Sequence, residues 1–130
     1  MNVPRADHAC AEIKDEEGKI VQIMVAGGVE DLNDPSPLKT IEVYDVANKT
    51  WEMGPNLLYP TLGASLVPSD KSSSACIYLV GGCQYYKNGT RRGSCSEVYT
   101  LSEGANHWNI FGNLKQSRIN PIAVLKPPDF

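Results

Sequence analysis

No apolar run in these 130 residues approaches the roughly 18 that a membrane-spanning helix needs. Basic charge is also scarce: twelve Lys and Arg against fifteen Asp and Glu give a net charge of -3, the wrong sign for a footprint on nucleic acid or anionic lipid. The two histidines, His8 and His107, stand in unrelated surroundings, and the four cysteines lack the paired CxxC spacing of a zinc site. No metal or cofactor is expected. Gly27-Gly28 is followed by Val29-Glu30-Asp31, with neither a Lys-Ser/Thr pair nor a helix, so it is not a phosphate loop. There is no G-x-S-x-G elbow and no Ser/His/Asp arrangement that can be placed. No catalytic residue is assigned, and the chain is read as non-enzymatic. The segment Met1 to His8 has the pattern of neither a secretory signal nor a transit peptide; on this reading the protein stays inside, or any signal lies upstream. Helix is nearly absent too, because no window of eleven or more residues carries a 3.6-residue apolar stripe free of Gly and Pro.

Apolar residues at 42% and charged residues at 21% are those of a folded domain. Eleven Gly and nine Pro fall between short apolar runs, which is the punctuation of turn-rich β structure. The chain repeats itself. Gly27-Gly28 returns as Gly81-Gly82, Glu42-Val43-Tyr44-Asp45 as Glu97-Val98-Tyr99-Thr100, and Trp51 as Trp108, each Trp followed by Asn-Leu. Pro4-Arg5 matches Pro60-Thr61 and Ser117-Arg118, so a third unit opens near Arg118. Strands are expected near 8–13, 20–26, 40–46, 51–53, 62–67, 75–80, 96–101, 108–111 and 119–125. The runs 20–26 and 75–80 are nearly continuous and rich in β-branched residues, as strands covered on both faces are.

These residues resemble the kelch repeat, whose pattern places Gly-Gly after the second strand, a Glu-Val-Tyr-Asp-like third strand and a Trp opening the fourth. Thr100 stands where Asp is usual, and Thr61 where Arg is usual. The resemblance implies an all-β fold, a partial kelch-type β-propeller with two four-stranded antiparallel blades, 5–57 and 61–114, plus the first strand of a next blade at 118–126. Gly27, Gly28, Tyr44, Trp51, Gly81, Gly82, Tyr99 and Trp108 are then structural residues of the repeat, with both Trp largely buried. A blade buries its faces against neighbours, so further blades are expected, in the same chain or by association.

Cys83 and Cys95 flank one strand-to-strand connection, where hairpin ends come within disulfide reach; they are read as a bridge or as two free thiols according to compartment. Cys10 and Cys76 read as small buried hydrophobes. Asn48-Lys49-Thr50 and Asn88-Gly89-Thr90 are glycosylation sequons, although Asn-Gly is also the favoured dipeptide of a tight turn. Together with Cys83 and Cys95 they lean the reading towards a secreted protein, with a cytoplasmic one as the alternative. In antiparallel blades the loops after strands two and four share one rim. That rim holds 29–38, 58–61, 84–94 and 115–118, and Tyr85, Tyr86, Arg91, Arg92 and Arg118 are its candidate contacts for a protein or peptide, an acidic one by charge. The resemblance implies a protein-binding module. The alternatives are the substrate-recognition part of a cullin-type ubiquitin ligase adaptor, a galactose-oxidase-like enzyme, or a carbohydrate-binding propeller.

Overall fold

A computed structural model of the protein describes residues 1–69 and 76–123. Strands β1 (Ala9–Lys14), β2 (Ile20–Ala26), β5 (Ile41–Asp45) and β6 (Thr50–Met53) form one antiparallel sheet in that order. Between them, β3 (Val29–Asp31) and β4 (Asp34–Pro37) form a separate hairpin. The second sheet orders β8 (Ser65–Pro68), β9 (Cys76–Val80), β11 (Arg91–Ser102) and β12 (Asn109–Arg118) antiparallel, so the four-strand unit occurs twice. The first part of β11 extends past this unit to pair with β10 (Cys83–Tyr85), and β10 pairs in turn with β7 (Thr61–Leu62). No helix occurs among the described residues. The architecture is all-β and antiparallel, consistent with the partial kelch-type propeller that the resemblance implies.

The core lies between the two blades because strand alternation sends one face of each sheet there. The first blade contributes Ala9, Ala11, Met24, Ala26 and Ile41; the second contributes Leu66, Ile77, Leu79, Tyr99, Leu101 and Trp108. Trp108 is 2% exposed and donates its indole N–H to the Pro55 carbonyl of the first blade at 3.1 Å, so it fastens one blade to the other. Trp51, expected to be as deeply buried, is only half-buried: it packs at a tilt of 43° against Tyr44, ring centroids 5.1 Å apart, on the face of blade one turned away from blade two. The same alternation corrects the reading of two cysteines. Cys10, between buried Ala9 and Ala11, is exposed on that outer face, and Cys76 is half-buried.

The Gly-Gly pairs make the same bond in each repeat. Gly28 N–H donates to the Thr61 carbonyl at 2.8 Å, from the first blade to the second, and Gly82 N–H to the Arg118 carbonyl at the end of β12 at 2.7 Å, in each case to the segment that opens the next repeat in the sequence. A side chain at Gly27 would put its Cβ 2.3 Å from the Thr61 carbonyl oxygen, which only glycine avoids. Asp7, Gly63 and Asn120 also correspond; all three have positive φ and are joined by bonds from Gly63 N–H to Asp7 O (3.1 Å) and from Asn120 N–H to Gly63 O (2.7 Å).

Other differences from the expected strands have local causes. Gly63, at φ +67°, breaks the segment expected at 62–67 into β7 and β8. Strands β11 and β12 are longer than expected because the first part of β11 pairs with β10 and Cys95 pairs with Arg118 at the end of β12. Residues 119–123 of the strand expected at 119–125 are not in a strand, Asn120 holding a left-handed bend there; 124 and 125 lie outside the described residues, as does 75 of the strand expected at 75–80.

Candidate functional site

The loops expected on one rim do meet. Thr61 N–H donates to the Leu38 carbonyl at 3.1 Å, Tyr85 N–H to the Pro60 carbonyl at 2.9 Å, and the Ser94 and Ser117 hydroxyls are 3.1 Å apart. The turn joining β10 to β11 is closed by Tyr86 N–H to Thr90 O at 2.8 Å and Gly89 N–H to Tyr86 O at 3.0 Å, with Gly89 at φ +85° and the Asn88 side chain accepting from Thr90 N–H. Asn88 is exposed at this turn, and Asn48 is exposed beside Asp45 in the β5–β6 turn.

The five candidate contact residues divide. Tyr86 is 48% exposed and meets Tyr59 edge-on at 6.3 Å. Arg91 and Arg118 are exposed; Arg118 donates only to the neighbouring Gln116 among its described side-chain bonds. Tyr85 is half-buried, and desolvation together with Cys83 raises its phenol above the ordinary range. Arg92 departs furthest from a solvated loop tip. It is half-buried in β11, lies 4.4 Å over the Tyr59 ring, donates to Gln84 Oε1 at 2.5 Å and pairs with Glu97 at 3.5 Å. Burial would lower the Arg92 guanidinium, but Glu97 and the adjacent tyrosines outweigh it and raise it. Beneath it, Tyr99 donates to the other oxygen of Glu97 and accepts from Gln84 Nε2 at 3.2 Å; burial and the Glu97 bond push its phenol far up. Sequence reasoning missed Tyr59, Gln84 and Glu97.

No disulfide joins Cys83 to Cys95. Ser94 is the cross-strand partner of Cys83, so the next residue, Cys95, lies on the opposite face of the sheet. Both are buried free thiols: Cys83 accepts from Arg91 Nε at 3.1 Å, and Cys95, pushed up by burial, donates to the Glu97 carbonyl.

The exposed charge of the rim is divided by blade. Lys87, Arg91, Lys115 and Arg118 are exposed on the second, whereas Glu30 and Asp31 are exposed on the β3–β4 hairpin of the first. Apolar groups stand among them, with Leu58 50% and Leu32 72% exposed. A surface with a cationic half, an acidic half and large uncharged groups can bind a polypeptide through many weak contacts.

Residues 22–58 match the Kelch motif. That segment runs from the middle of β2 to just past β6 and takes in Gly27-Gly28, Glu42, Tyr44 and Trp51, the markers on which the resemblance was drawn. The first blade therefore carries a Kelch motif over these residues, and the second blade has the same markers at equivalent places in its sheet. No curated protein matches the chain.

Proposed function

We propose that this chain is a non-enzymatic protein-binding module that engages a partner polypeptide through the rim of loops 29–38, 58–61, 84–94 and 115–118. The observation that carries the reading is the meeting of these four segments, three joined by main-chain bonds and the fourth by the Ser94–Ser117 hydroxyl pair, in one surface on which Tyr86, Leu58, Arg91 and Arg118 are exposed. Tyr and Arg anchor interfaces because each buries a large area and directs a polar end. The cationic half of the rim favours an acidic segment of the partner, held by charge-assisted hydrogen bonds.

The test begins with a partner captured by the wild-type chain, identified and purified. Its Kd is then measured for Tyr86→Ala, Arg91→Ala and Arg118→Ala, and for Lys14→Ala with Lys19→Ala on the opposite face. Loss of affinity from the first three and none from the last pair supports the rim; the reverse pattern overturns it. Affinity should also fall with added salt, because part of it comes from exposed charge. A glycan found on Asn88 would move the interface away from the β10–β11 turn.

A further inference from the structure

In the first blade the Arg5 guanidinium donates to Thr40 O (2.8 Å), Gly27 O (3.0 Å) and Thr40 Oγ1 (3.0 Å), and pairs with Glu42 at 3.1 Å, both side chains being fully buried. Arg5 is the charge partner of a buried carboxylate whose other donors are the Asn2 and Val3 amides. In the second blade the equivalent positions are Thr61, Cys95 and Glu97. Thr61 is 2% exposed and carries no charge, so the carboxylate of Glu97 has lost the cation that the repeat supplies from its opening segment. A cation reaches it from elsewhere. Arg92 comes down from the rim end of β11, with Gln84 and Tyr59 fixing its fork, while Tyr99 takes the second carboxylate oxygen.

We propose that Arg92 is a positioning residue that does in the second blade what Arg5 does in the first, and that its grip on Glu97 ties the β10–β11 turn, and Tyr86 with it, to the core. The replacement of Arg by Thr at 61 and the presence of Arg at 92 are two halves of one change: a structural ion pair made within the blade has become one made between blade and rim. Arg92 is thus spent on Glu97, and the cations left for a partner on this loop are Lys87 and Arg91. Only this last consequence rests on the rim being the binding surface; the anchoring stands apart from it.

The experiment uses the full chain, with urea unfolding and amide hydrogen exchange read together. Arg92→Ala should lower the unfolding midpoint and speed exchange of the Tyr85, Tyr86 and Gly89 amides by about tenfold or more, the scale of losing a hydrogen-bonded charge. Arg92→Lys should restore part of both. Adding Thr61→Arg to Arg92→Ala should recover the midpoint, since the new cation reaches Glu97 from the opening segment, while the turn amides stay fast because nothing ties the turn down. That split separates anchoring from general stabilisation. Should Thr61→Arg not fold, the cycle of Arg92→Ala with Glu97→Gln decides, and the double variant must lose clearly less than the two single losses added. Full additivity, or an Arg92→Ala protein with unchanged midpoint and unchanged turn exchange, overturns the proposal. If anchoring holds but a captured partner binds Arg92→Ala at full strength, the rim reading fails and this one does not.

Discussion

Replacing each tryptophan by alanine separates the two positions that the repeat makes equivalent. Trp108 is 2% exposed, packs in the core between the blades and holds the Pro55 carbonyl. Removing it leaves a cavity at a site enclosed from both blades, worth about 3–5 kcal/mol, and strands the Pro55 oxygen, worth about 1 kcal/mol more unless water reaches it. Trp51 packs at a tilt against Tyr44 at the outer face and is only half-buried, so truncation there removes area without enclosing a void; about 1–2 kcal/mol is expected. A fold of this length holds roughly 6–20 kcal/mol in all, so Trp108→Ala should move the urea midpoint far and Trp51→Ala little. Equal losses, or a larger one at Trp51, would refute the claim that the core lies between the blades and that Trp108 fastens it.

Three further outcomes follow from the same geometry. Burial alone would raise the Glu42 carboxyl, but the Asn2 amide, the Arg5 guanidinium and the Val3 amide outweigh it and hold it below the ordinary carboxylate range; its contribution is present above the unfolded value of about 4.3 and lost as pH falls through the lower folded value, so Glu42→Gln should flatten the acid limb of a stability-versus-pH curve. Gly27→Ala should cost well over 1 kcal/mol in urea unfolding, because positive φ adds to a clash with the Thr61 carbonyl, whereas Gly89→Ala, with open space around it, should show the φ cost alone. On alkylation of the native protein, peptide mapping should find Cys10 labelled, because it is exposed although desolvation and Glu12 push its thiol up, and Cys83 and Cys95, both buried, untouched until denaturant is added.

What could be read from the sequence is what the repeat states twice. Strand β2 runs over the expected 20–26, and Gly27, Glu42, Tyr44 and Trp51 lie where a four-strand blade needs them. The rim could be placed too, since antiparallel order alone decides which loops share an edge. Features without a duplicate were hidden. The β3–β4 hairpin contains Asp34-Pro35-Ser36-Pro37, and two prolines in four residues argue against a strand except at an edge, which is where this one lies. The exposure of Cys10 depends on which sheet face meets the other blade, and alternation leaves that choice open. The surroundings of Arg92 come from three separate segments, the 58–61 loop, β10 and β11 itself, so no local pattern announces them. The one available signal was Thr61 in the place of Arg, which leaves Glu97 without its cation.

The binding reading is tested most directly by crosslinking from inside the rim. A photoreactive benzoylphenylalanine replaces Tyr86 in one protein and Lys14, on the opposite face, in another, and each is irradiated with the captured partner. The rim account predicts a covalent adduct from position 86 and none from position 14. An adduct from position 14 alone would contradict it.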